Sequence, residues 1–506
     1  MQKINQEGAR PAWPAKARLL LLATLLPMLG LLPMRAPAQD RDDARRLLEQ
    51  GVQLRAIERE RDLLKDERDD QYPTLTIDGR TYTVQHNAND LGQALYLMLQ
   101  QRQWQAAAHF LAEYLGLPDP DPMLVHYARG TLARVRGHYS EAEREFRALL
   151  ALQPDFLLGR LELARTLFED QQDRESADLF DAIAGSLDKD DAKNVGVLRT
   201  VETFRQALRN RRAWNGSVSL GPAWSDNVSR TSASDVCLYY FGGECIIERQ
   251  MPGPTTAVGL DYDASLDRRL PLYGHHGLYL RGLLFGQSWR EQAGYNELSF
   301  SAQAGYSYRS GRHAFSLAPS FDYYALGNHA LYGAWGLHGE WSYTLTPASL
   351  LKLEGDWKDL RYRTEGYARN YDGVSRSIYA TYFRSLGPRW TLFGGLDVVD
   401  SAAPAEVNAY LQKGARLGAS LQWPDGFTST LFGSYRHRDY GAYSPLLGER
   451  REDDEQNYVL ILKTSRWAFA GFTPLLTLRH NRVGSNVDWL YSYDKNSVSL
   501  KLERTF

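Results

Sequence analysis

Residues 335–360 read WGLHGEWSYTLTPASLLKLEGDWKDL, and this stretch decides the fold. Trp335, Leu337, Gly339, Trp341, Tyr343 and Leu345 form one set. Gly336, His338, Glu340, Ser342 and Thr344 form the other. After the turn residues Pro347 and Ala348 the beat resumes, with Leu351, Leu353, Gly355 and Trp357 against Lys352, Glu354, Asp356 and Lys358. A period of two is a β-strand with unlike faces, and a short turn between two such strands makes an antiparallel hairpin.

The same beat runs from Trp214 to the C-terminus. Val258, Leu260, Tyr262, Ala264 and Leu266 alternate with Asp261, Asp263, Ser265 and Asp267, and Ala415, Leu417, Ala419 and Leu421 alternate with Arg416, Ser420 and Gln422. A soluble sandwich also alternates. Here, however, many segments are ten residues or longer, enough to cross a bilayer when tilted, and Trp and Tyr gather near segment ends. The pattern predicts a transmembrane antiparallel β-barrel of about fourteen strands over residues 212–506. The polar set, Asp261, Asp263, Asp267, Glu340, Lys352, Glu354 and Arg416 included, is expected to line a wet lumen. Alternate links are short, as at 309–312, 346–349, 385–389 and 424–426. The links between them are long, at 225–254, 361–371, 437–454 and 483–497. Short periplasmic turns and long outer loops are the bacterial rule, which puts the N-terminal part of the chain in the periplasm.

Composition agrees. The 506 residues carry a net charge of −2, which gives no basic field for nucleic acid, and include 30 Tyr and 12 Trp. The mean hydropathy of −0.46 excludes a bundle of membrane helices but not a barrel, whose strands average out polar. Residues 1–38 read as a cleaved signal peptide: Lys16 and Arg18, an apolar run over 19–32, then Ala36-Pro37-Ala38.

Within residues 39–88, the stretch 40–70 reads as a charged linker or solvated helix and 72–84 as a small extended element. Residues 89–211 carry helical periodicity. Gly130, Gly137, Tyr139, Ala142, Phe146 and Pro154 have the offsets of a tetratricopeptide (TPR) unit; Ala164 and Phe180 recur 34 residues after Gly130 and Phe146. Trp104, Ala107 and Leu111 mark a weaker unit upstream, and 188–209 reads as a capping helix. Such arrays leave a concave face free to bind protein.

Cys237 and Cys245 share the first long loop, and export to an oxidising compartment favours a disulfide. His275, His276, His313, His329, His437 and His480 form no catalytic or metal-binding spacing. There is no phosphate loop or nucleotide fingerprint. No enzyme, cofactor or metal is expected.

The arrangement resembles the surface lipoprotein assembly modulator (Slam) family. The stretch 220–228, LGPAWSDNV, is similar to that family's apolar strand running into an Asn-containing turn. The resemblance implies a monomeric outer-membrane translocon. Its clients would be surface lipoproteins that capture host iron or haem carriers or evade complement, or related secreted proteins. The TPR domain would recruit the client in the periplasm. The terminal Phe506 resembles the signal read by the barrel assembly machinery, which joins the client and membrane lipids as an expected partner. Two other readings stand beside it: a polysaccharide exporter of the TPR-barrel type, and a porin-like channel.

Overall fold

The computed structural model describes residues 38–64, 88–241 and 243–506. The expected signal segment through residue 37 and the extended element at 72–84 lie outside them. The chain divides after Asp42 into two units. Only the beginning of helix α1 (Ala38–Leu63) is described in the first. The second, Asp43–Phe506, holds everything that follows.

Six helices pair in sequence: α2 (Ala88–Gln100) with α3 (Trp104–Leu115), α4 (Pro122–Val135) with α5 (Tyr139–Leu152), and α6 (Leu157–Glu169) with α7 (Asp173–Ser186). The last, α8 (Val195–Arg212), packs on α7. Asp121 starts α4 by accepting the Met123 amide at 2.9 Å, with Pro122 in the first turn. The repeat residues carry the packing. Gly130 lies so close to the Phe146 ring that a Cβ there would sit 2.8 Å from it. Ala142, Phe146, Ala164 and Phe180 are fully buried. Phe180 stacks on Phe204 of α8 at 5.0 Å, closing the array. Gly137 turns the chain between α4 and α5 with φ +76°, and Pro154 stands exposed in the next turn.

Fourteen strands then close a barrel. They are β1 (Asn215–Ser225), β4 (Ala257–Pro271), β5 (His276–Trp289), β6 (Glu297–Arg309), β7 (His313–Leu326), β8 (His329–Thr346), β9 (Ser349–Tyr362), β10 (Gly373–Leu386), β11 (Trp390–Ser401), β12 (Tyr410–Gln422), β13 (Phe427–Ser444), β14 (Glu449–Thr464), β15 (Thr473–Ser485) and β16 (Tyr493–Thr505). All neighbours are antiparallel, and β1 pairs with β16 to complete the ring. Closure satisfies every strand edge, the condition for crossing hydrocarbon. Along β1, Ser217, Ser219, Ala223 and Ser225 are buried while Val218, Leu220 and Trp224 are exposed. Trp335, Leu337, Trp357, Ile378, Leu396, Leu417 and Leu431 are likewise exposed. A continuous apolar exterior around a polar interior suits lipid and would aggregate in water. No helix among the described residues is long and apolar enough to span a membrane.

The loop after β1 carries a separate hairpin, β2 (Asp235–Phe241) with β3 (Glu244–Gln250), closed by a Cys237–Cys245 disulfide. Two expected long loops are mostly strand. β13 and β14 extend to Ser444 and Glu449, so the link expected over 437–454 shrinks to a four-residue turn at 445–448. The 483–497 link holds the ends of β15 and β16 around a short helix. Charged strand ends can project beyond the bilayer because their ladder hydrogen bonds continue there, and the apolar beat alone does not mark where they stop.

Candidate functional site: the barrel lumen and its inner helix

A charged helix needs water or polar partners around it. The sequence predicts water around residues 40–70, of which 65–70 lie outside the described residues. The structure corrects this: α1 from Asp43 onward lies inside the barrel, and its partners are the wall. Asp43, Arg46, Glu49 and Gln50 are buried. Asp43 accepts from Arg436 (2.9 Å), Ser434 (2.7 Å) and Asn457 (3.0 Å) on β13 and β14. Arg45 faces Asp322 of β7 at 3.6 Å, and Arg46 reaches Glu354 of β9 at 3.3 Å while its guanidinium lies over the Tyr379 ring of β10. Lower down, Gln53 meets Lys352, Arg55 donates to Glu503 (2.6 Å) and Ser217, and Glu58 accepts from Gln422. Glu60 pairs with Arg211 of α8 at 2.7 Å. The helix therefore threads the lumen and ends against the repeat domain.

Few of these contacts are apolar. Leu47 packs beside Phe383 and Phe393, Arg46 lies over Tyr379, and Leu63 and Leu64 reach the repeat core; the other contacts just described are hydrogen bonds or ion pairs. Ion pairs that leave a dry site regain hydration on both sides, so separating helix from wall costs far less than breaking an apolar core of equal area. The interface is polar and specific in register.

The sequence-predicted lumen residues all join this network. Asp261 and Asp263 pair with Lys501 of β16, and Asp267 with Arg281 at 3.3 Å. Glu340 contacts Arg281 and Lys352, Lys352 also reaches Glu354 at 3.1 Å, and Arg416 meets Asp397 at 3.0 Å. His338, Glu340 and Glu354 come within metal-ligand reach of one another, but the Lys352 ammonium already sits beside both carboxylates, 3.2 Å from Glu340. A fixed cation there leaves no call for a mobile one. Asp397 and Arg436, central to the network, were not among the predicted residues; their inward parity in an alternating strand was the available signal. The wet lumen expected from strand chemistry is instead occupied by a helix.

Below the lumen, the repeat domain is bolted to two periplasmic turns. Asp170 accepts from the Gly311 amide at 3.1 Å and pairs with His275 at 2.9 Å. Asp173 is held by Arg211 (2.7 Å) and Arg269 (3.1 Å), and Glu175 accepts from the Gly274 amide. Tyr139, predicted as a repeat residue, also packs on Gly311, where a Cβ would meet its ring at 2.2 Å. The hydrogen bond that the His275 ring donates to the Asp170 carboxylate raises its pKa, with burial opposing. A raised histidine pKa stabilises fully below its unfolded value, about 6.5, and is lost as pH climbs through the folded value. The transition temperature of the helical domain should therefore decrease as pH rises above about 6.5. His275→Gln should flatten that dependence; an identical pH profile in the variant would refute the assignment.

The predicted turn motif also has a job. Asn227 is buried, donates to Thr231 and Asp494 carbonyls (3.2 and 2.9 Å) and accepts the Thr231 amide, while Val228 packs against Ala223, Ala257 and Trp289. At the other end, Phe506 exchanges backbone hydrogen bonds with Gly216, both 3.1 Å. Arg504, two residues before it, lies over the Phe472 ring at 5.7 Å.

Comparison with known proteins follows the same two parts. Residues 214–506 match the family model described as surface lipoprotein assembly modifier, and residues 77–180 match that of its N-terminal TPR repeats. The chain is 41% identical over 448 residues to the hemophilin secretion modulator of Acinetobacter baumannii, covering 86% of this chain and 90% of that protein. It is 27% identical over 440 residues to surface lipoprotein assembly modifier 1 of Neisseria meningitidis serogroup B, covering 85% and 86%.

Proposed function

The chain belongs to the surface lipoprotein assembly modifier family, and from that membership we propose that its barrel passes client proteins outward across the outer membrane after its TPR array collects them in the periplasm. The observation that carries this reading is the inner helix. The bore already holds a helical segment of polypeptide, a body about 10–12 Å across, in contacts that water can replace. When α1 leaves, a client segment of similar width fits the same polar walls. The lumen charges are of both signs and paired, as suits a passing polypeptide of mixed charge better than a polymer of one sign.

The 41%-identical relative carries secretion of hemophilin in its name, so a hemophilin-like protein is the first client to try. No chemical step is assigned; export is biased by folding or capture of the client outside. The concave face that a TPR array offers is the recruiting surface, and Phe506 serves insertion by the barrel assembly machinery.

The test co-expresses the chain with a tagged hemophilin-like client. Deleting residues 88–211 should leave a heat-modifiable, membrane-inserted barrel and lower the surface-exposed or released client by at least about tenfold. Full delivery by the bare barrel would overturn the recruiting role. Client delivery unchanged when the whole chain is absent would overturn export itself.

A further inference from the structure

The ring has one junction between strands far apart in sequence. β4 to β16 are linked in succession by turns or loops, and β1 joins β4 through the loop at 226–256. β1 and β16 are held together by non-covalent contacts alone. Their pairing is broken in the middle: it runs over Ser217–Leu220 and resumes at Ala223, skipping Gly221 and Pro222. Toward β4 the same two residues pair without interruption. In an antiparallel ladder alternate residues turn both backbone groups to the same neighbour. Gly216 bonds Phe506 of the β16 end, and Asp226 donates its amide to Asn496. Even-numbered residues of β1 thus face β16, so the amide hydrogen that Pro222 lacks is missing from this junction. A comparable gap between β6 and β7, beside Pro319, is tied by the turn at 310–312 and cannot part there.

The half of the junction below the gap is stapled from inside. Arg55 of α1 donates to Glu503 of β16 at 2.6 Å and to Ser217 of β1 at 3.2 Å, one guanidinium across both strands. At the gap itself, Lys501 of β16 crosses β1 to Asp261 and Asp263 of β4 and stays when α1 goes. Above it, Asp226 and Asn227 clasp Asn496 and Asp494.

We infer that the periplasmic half of the β1–β16 junction is a side gate, latched by Arg55, which unzips from Gly216 to Pro222 when the inner helix withdraws. Lys501 is its stop. Opening would widen the mouth on the side where clients arrive, so one movement would both clear the bore and enlarge its entrance. This rests on the export reading only for its purpose; the latch is a property of the barrel.

Hydrogen exchange by mass spectrometry, on the full chain in phosphatidylethanolamine–phosphatidylglycerol vesicles, tests it without any client. Arg55→Ala should speed exchange in 217–220 and 502–505 at least about tenfold, leaving 223–225 and 497–499 unchanged. Arg46→Ala, which loosens the same helix at Glu354 away from the junction, should leave 217–220 as in the wild type. Heat-modifiable migration checks that each barrel is assembled; Arg55→Lys, which keeps the charge toward Glu503 and loses the fork that spans both strands, replaces alanine if assembly fails and should give a smaller rise. No rise in either Arg55 variant, an equal rise in Arg46→Ala, or a rise spread evenly round the ring overturns the gate. Any of these with client delivery intact sinks the gate alone.

Discussion

Excising residues 43–63 should turn a closed ring into a conducting pore. In planar bilayers the single-channel conductance is expected to rise at least about tenfold over the intact chain. Eight strands are filled by their own side chains and sixteen enclose an aqueous channel; fourteen lie near the open end of that range. In this barrel the remaining space is taken by α1, whose Asp43, Arg45, Arg46 and Arg55 reach walls as far apart as β1, β7, β9 and β13. Removing it exposes Arg436, Glu354 and Lys352 to water, which hydrates them, so the barrel itself should remain heat-modifiable. A conductance equal to that of the intact chain would mean the wall side chains close the bore unaided, and the role of α1 as the occupant to be displaced would fall with it.

Phe146→Ala should melt the helical domain while sparing the barrel. Phe146 is fully buried, fills the space left by Gly130, and meets Tyr127 edge-on at 6.4 Å. Truncating such a ring costs about 3–5 kcal/mol, a large share of the stability of a domain this size. The barrel owes its persistence to a closed ladder of strands in lipid, which this ring does not touch. Calorimetry on the detergent-solubilised protein should therefore show the helical transition shifted to lower temperature and the barrel transition in place. A single transition moving as a whole would show that the bolts at Asp170, Asp173 and Glu175 fuse the two parts into one cooperative unit.

The two variants separate contributions that a loss of export alone would confound. The first empties the bore and takes from the repeat domain only what the lower end of α1 gives it, the Glu60–Arg211 pair and the packing of Leu63. The second removes the array without altering the bore. Client delivery that survives the second but not the first would place recruitment in the lumen.

Local chemistry wrote much of this molecule into its sequence. Strand identity in the barrel followed from alternation, because a wall between lipid and a polar interior forces a period of two on every strand, as in Trp335–Leu345. The repeat units followed from Gly130, Ala142 and Phe146, because two helices approach closely only where one side is small and the other fills the gap. The disulfide followed from two cysteines in one loop. A helix was among the readings of this charged stretch, but its place inside the bore was not legible. Residues 40–63 carry charges on every side, a pattern that bulk water and a polar wall satisfy equally, and nothing local distinguishes them. Only the closed ring sets Arg436, Ser434 and Asn457, 391 to 414 residues along the chain, around Asp43. Likewise the Arg55 latch exists only because closure brings Ser217 and Glu503 side by side. Patterns of polarity report the surroundings of a strand or helix one residue at a time; which charges meet across a cavity depends on register and closure, and those are properties of the whole fold.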